Sequence, residues 1–193
     1  MCHCSLTERY CIQNKKGGMM EMACNYLELR KTKHRMDEAH AWELLCAREV
    51  VYGFLGTHGL AGENSMPYIV PMNFAADPEA RAVYLHTTLD ADSKHNRSVR
   101  ENPNVTFAAV HPDAAILSDP DGIPCKFSMK FRSVMVFGVI TPVDDQAEKA
   151  RILNLFMRQK SGADNVLDVP PHLAAVATIY KISVEHISGA QKD

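Results

Sequence analysis

The chain has 193 residues, 46% hydrophobic and 23% charged, with a formal net charge of −2. That is the composition of one globular domain able to bury a sizeable core. It carries no broad basic field of the kind that holds a nucleic acid, and its longest apolar runs fall short of a membrane span.

Residues 1–29 show no sustained periodicity and are expected to be a disordered or mis-annotated extension. Of the six cysteines, Cys2, Cys4, Cys11 and Cys24 lie in it. Cys2-His3-Cys4 with Cys11 lacks the paired spacing around a turn that structural zinc sites use, so no metal is expected. A disulfide framework is not expected either, and the polar, Cys-rich N-terminus shows no secretory signal; reduced thiols and a cytoplasmic location are expected. Lys16-Gly17-Gly18-Met19-Met20 can be encoded by a ribosome-binding stretch beside start codons, which places the expected translation start at Met19, Met20 or Met22.

Asp37 reads as the N-cap of a helix over 37–48, with Ala39, Trp42, Leu44, Leu45 and Ala47 as its apolar set. Residues 50–56 are β-branched, aromatic and glycine-rich, and read as a strand. Turn chemistry fills 59–65, and strands at 67–75 and 82–88 are joined by the hairpin-length link Asp77–Arg81. A helix over 92–102 stops at Pro103, and a strand follows at 105–110. Residues 111–124 hold three prolines and three aspartates and read as a long loop. The longest strand spans 126–140 and bends at Gly138. Asp144 or Asp145 caps a helix carrying Ala147, Ala150, Ile152, Leu153, Leu155 and Phe156. After a loop at 161–171, a strand over 174–187 alternates Ile179, Ile182, Val184 and Ile187. About six neighbouring strands with few helices predict a mainly β architecture, a small antiparallel barrel with peripheral α-helices. Trp42, Phe54, Phe74, Phe107, Phe137 and Phe156 are expected in its core.

The chemistry-bearing residues fall in order. Two short apolar strands, Pro67–Phe74 and Ala82–Thr88, are followed at once by the basic, hydroxyl-rich stretch Ser93–Pro103. That order sets a flat apolar slot beside an anion pocket, as a flat ring with a phosphate tail requires. Lys94, His95, Arg97 and Ser98 offer donors, along with backbone N–H groups near Asp92–Lys94; the plainer reading of this cluster is a solvated helix face. Asn73 either serves a ring edge with N–H and C=O groups or ends its strand as a turn residue. His86 is either a satisfied structural histidine or a group facing the slot as proton donor or substrate contact. Thr87 and Thr88 bring hydroxyls but are also good strand formers. Arg132, on the long strand, needs the surface or an anion, and the anion is the expected partner. No Gly-x-Gly-x-x-Gly turn and no nucleophile elbow is present.

These segments resemble the flavin-binding split barrels related to pyridoxamine 5'-phosphate oxidase, nearest the branch of the 5-nitroimidazole resistance proteins. The resemblance covers roughly residues 30–190. It rests on Pro67-Tyr-Ile-Val-Pro-Met-Asn-Phe74, Val83-Tyr-Leu-His-Thr87, Asn102-Pro-Asn-Val105, Phe131-Arg-Ser-Val134 with Gly138, and Ile182-Ser-Val-Glu-His-Ile-Ser-Gly189. It implies a six-stranded antiparallel split barrel with FMN at a homodimer interface. The resemblance lays the backbone of Val70, Pro71, Met72 and Asn73 against the ring edge. It puts His86 and Thr87 at the family's aromatic–Thr pair, and Ser93, Lys94 and His95 at its phosphate segment. Ser133, beside Arg132, falls at its glutamine. Lys94-His95 replaces the family's Arg-Lys, and one residue is inserted after Thr87. The Arg and His that grip pyridoxal phosphate in the oxidase have no counterpart. The expected activity is therefore FMN-dependent transfer of electrons from a reduced donor to a small acceptor, nitroaromatics included. A non-catalytic flavin sensor or electron carrier is the alternative, and a heme or deazaflavin binder on the same barrel is a further one.

Overall fold

The computed structural model describes residues 32–62, 66–87, 92–162 and 168–193. The cysteine-rich segment, the alternative start codons and Thr88 lie outside them.

Two long strands close the molecule on itself. In chain order the elements are β1 (Arg35–Met36), α1 (Glu38–Cys46), β2 (Tyr52–Thr57), β3 (Tyr68–Asp77), β4 (Ala82–Thr87), α2 (Lys94–Glu101), β5 (Asn104–Val110), β6 (Ala115–Leu117), β7 (Ser128–Val143), α3 (Gln146–Phe156), α4 (Pro171–Ala174) and β8 (Thr178–Lys192). Six strands run β8-β4-β3-β2-β5-β7, and β7 pairs back onto β8 to complete an antiparallel barrel. Closure pairs the two long strands β7 and β8 with each other, which removes the sheet's outer edges along them. The two-residue β1 lengthens the sheet beside β8, and β6 forms a hairpin with the start of β7. The expected loop over 111–124 thus contains a short strand. Its three residues are all exposed, so no buried face marked it in the sequence.

The barrel interior is filled by Leu55, Phe74, Leu85, Phe107, Val136 and Ile182, with Phe74 and Phe107 meeting edge to face at 5.0 Å. Helix α1 buries Ala41, Trp42, Leu44 and Leu45 in the same cluster. Its predicted cap is present: the Asp37 side chain accepts from His40 N at 2.9 Å. Asp145 does the same for α3 through Glu148 N at 2.7 Å. Helix α3 packs Ile152 on Ala82, Tyr84 and Ile179 in a second, smaller cluster. Where β2 no longer accompanies β3, the Gln159 side-chain amide takes its place. It accepts from Ala76 N at 3.0 Å and donates to Ala76 O at 2.6 Å.

The bend expected at Gly138 is a register shift between Phe137 and Gly138, where a Cβ would collide with the Ser183 carbonyl oxygen. One core expectation fails. Phe54 is 41% exposed, because the alternation of β2 turns it outward, opposite Pro71. Phe137 and Phe156 are half-buried, whereas Trp42, Phe74 and Phe107 are core. Among the described residues no helix is long and apolar enough to cross a membrane.

Candidate functional site

Strands β3 and β4 separate part-way along. Their ladder covers only Phe74–Asp77 against Ala82–Leu85, while β3 stays paired with β2 from Tyr68 through Asn73. Among the described residues, the edge of Tyr68–Asn73 that faces away from β2 has no strand partner, so its backbone N–H and C=O groups are open to a ligand. Beyond the split, β4 continues on β8, with His86 opposite Ile179 and Thr87 opposite Thr178. Helix α2 begins beside it. Lys94 Nζ lies 5.1 Å from the centre of the Tyr68 ring and so joins the helix to the open strand.

The start of α2 is unusual. Ser93 occupies the N-cap but makes no side-chain cap bond, and no acidic residue stands in the first turn. That turn holds Lys94, His95 and Arg97 instead, placing basic groups at the positive end of the helix dipole. The Ser93 hydroxyl is turned to His95, 3.3 Å from Nδ1, and the Thr87 hydroxyl lies 2.8 Å from Nε2 of the same ring. Thr87, Ser93 and His95 are therefore one cluster, and Lys94 stands next to it in the chain with its ammonium over Tyr68. Ser98 is not part of its surface: it is 1% exposed, and its hydroxyl has no hydrogen-bond partner among the described residues.

On β3 the alternation decides what each predicted residue offers. Met72 is buried in the core and Val70 packs against it, so neither offers its side chain to a ligand. Pro71 and Asn73 face outward, and Asn73 Nδ2 donates to Val51 O at 3.2 Å, which binds it to the start of β2. His86 is exposed and, one residue from Thr87, takes the opposite face of β4 from the His95 contact. The outer surface of this side is apolar. Pro71, Phe54, Ala108 and Met135 form one rung across β3-β2-β5-β7, with Tyr52 54%, Ile69 65% and Val110 46% exposed around it.

Arg132 lies elsewhere. It shares the face of β7 that carries buried Val134 and Val136, past the last of them, while Ser133 shares the outer face with Met135. Arg132 Nη2 donates to Asp113 Oδ2 at 2.9 Å, and Lys130 Nζ stands 3.3 Å from the same oxygen. The anion expected for Arg132 is thus an internal carboxylate. These cations, Arg132 most of all, hold the Asp113 carboxyl down at about 2. Tyr68 and Asp113 were missed in the sequence. Only the i,i+2 spacing of His111/Asp113, and of Lys130/Arg132 on one face of β7, hinted at the second cluster.

The family described as pyridoxamine 5'-phosphate oxidase matches residues 37–191. Among solved structures, a protein named for 5-nitroimidazole antibiotic resistance from Bacteroides thetaiotaomicron superposes with a TM-score of 0.63 at 21% identity, over 80% of this chain and 84% of that one. The flavocytochrome Anf3 from Azotobacter vinelandii gives 0.65 at 18% identity, over 86% and 72%. A FAD-binding protein from Mesorhizobium loti gives 0.54 at 16%, over 82% and 97%. At these identities the likeness is one of fold. No curated protein matches the chain.

Proposed function

The chain belongs to the pyridoxamine 5'-phosphate oxidase family, and from that premise we propose that it is a flavoprotein that binds FMN and passes electrons from a reduced donor to a small acceptor such as a nitroaromatic. The observation that carries the reading is the start of α2. Basic residues at the positive end of a helix whose cap hydroxyl is turned away oppose the local dipole, and a bound phosphate relieves that opposition. Thr87, Ser93, Lys94 and His95 fit a phosphate, because they supply hydroxyl, ammonium and imidazole donors at one place. The open edge of Tyr68–Asn73 fits the polar rim of a flat ring, offering backbone carbonyls and, except at Pro71, N–H donors at strand spacing. When bound, the flavin supplies the electron-transfer chemistry, and the protein supplies orientation and electrostatics.

In this reading the backbone of Val70, Pro71, Met72 and Asn73 holds the ring edge. Exposed His86, on the opposite face of β4, is placed to meet the acceptor or to deliver a proton to it. The apolar outer rung of Pro71, Phe54 and Met135 is covered by a second copy of the chain, giving a homodimer with two equal sites. The alternative of a non-catalytic carrier draws on the lack of counterparts to the Arg and His with which the oxidase grips its substrate.

The test is the absorption spectrum of freshly purified protein, with the released cofactor identified by mass after denaturation. FMN in near-equal amount to chain supports the proposal; a colourless protein that takes up no added FMN overturns it. Turnover of NAD(P)H with a panel of nitroaromatic acceptors then separates enzyme from carrier.

A further inference from the structure

We propose that the barrel mouth beside β6 holds a second binding site, for the carboxylate of a small organic acid, built by His111, Lys130 and Arg132 and filled in this structure by the chain's own Asp113. The two oxygens of that carboxylate are served separately. Oδ1 lies 2.6 Å from His111 Nδ1, while Oδ2 receives Arg132 Nη2 at 2.9 Å and Lys130 Nζ at 3.3 Å. Such a division of donors suits a planar two-oxygen anion.

Arg132 Nη2 lies 3.0 Å from both ring nitrogens of His111, and the Asp113 backbone N–H donates to His111 Nδ1 at 3.2 Å, so the imidazole is held between the guanidinium and the link. Two permanent cations then face one carboxylate, an excess of one positive charge. The donors are also under-used. Arg132 engages Asp113 and His111 through Nη2 alone, no bond of its Nε or Nη1 occurs among the described residues, and its side chain is 36% exposed. A guanidinium presents five N–H groups, so those not used by Asp113 and His111 remain for an incoming carboxylate.

The scaffold separates host from plug. Lys130 and Arg132 sit on β7, held by β6 at Ala115 and by β8 at Gln191. Asp113 sits on the link between β5 and β6 outside any ladder, past His111, whose backbone N–H is fixed to β7 by donating to Arg132 O at 2.9 Å. Displacing it moves the link and leaves the cations in place. Because Asp113 is tethered, it competes at high effective concentration, so the wild-type protein binds an external acid weakly and the site strengthens once the plug is removed. This site lies on the opposite face of β7 from Ser133 and does not depend on the flavin reading.

The experiment follows the side-chain NMR signals of His111 and Arg132 in the full chain during titration with succinate, against sodium chloride at matched ionic strength. Saturable shifts in the wild type are expected, with affinity about tenfold tighter in Asp113→Asn and no saturable shift in Asp113→Asn/Arg132→Gln. The proposal falls if wild-type signals move no more with succinate than with chloride, if binding survives loss of Arg132, or if Asp113→Asn binds no tighter than wild type. The wild-type titration decides alone should a variant fail to fold.

Discussion

Thr87 Oγ1 and His95 Nε2 stand 2.8 Å apart across the segment that joins β4 to α2, and the other ring nitrogen reaches the Ser93 hydroxyl. The imidazole is therefore the brace that fixes two hydroxyls at the helix start. His95→Ala removes both bonds and leaves half-buried hydroxyls behind, with an expected cost of about 1–2 kcal/mol in urea denaturation. His95→Gln, which can still donate and accept, is expected to restore part of it; equal loss in both variants would exclude the brace.

Lys94 carries the permanent charge beside the same cluster. Lys94→Ala is expected to weaken FMN binding by about 10–100-fold, the worth of one charge-assisted contact. The gap between wild type and variant should narrow as salt is raised, since the lost contribution is the screened one. Fluorescence titration of released flavin measures both, and equal affinity at low salt would remove Lys94 from the site.

The outer rung carries the dimer prediction. Phe54→Asp puts a charge on an exposed side chain that lies opposite Pro71 and Ala108. Folding should be little affected, because Phe54 is 41% exposed. Sedimentation is expected to show a dimer for wild type and a monomer with weakened FMN binding for the variant.

Lys160 links the end of α3 to the end of α1, donating to Leu45 O and Ala47 O at 2.8 Å each, with its Nζ 4.6 Å from the Phe74 ring centre. Burial lowers its amine from 10.5 to about 8. A base whose folded value is depressed binds fewer protons than the unfolded chain between those limits, so its contribution to stability rises as pH climbs from about 8 to 10.5. The stability difference between wild type and Lys160→Met should therefore shift in favour of wild type across that window. Denaturation at both ends of the window measures it, and a flat difference would contradict the assignment.

Much of this protein is local and could be read in one dimension. Asp37 and Asp145 cap the helices they precede, because a carboxylate meets orphan N–H groups three residues on whatever the rest of the chain does. The alternation of Ile179, Ile182, Val184 and Ile187 marked the last strand, and Ser93, Lys94 and His95 were adjacent in sequence before they were adjacent to Thr87 in space. Phe54 was not legible, since alternation gives two faces and does not say which one is inside.

What the sequence determined alone is the succession of strands and helices and the basic character of the segment after β4, for these depend on neighbours within a few residues. Only the tertiary structure decided where β3 parts from β4, which face of β7 Arg132 occupies, and that its anion is Asp113. Those are matters of register between distant strands, and a shift of one residue would have reversed each of them.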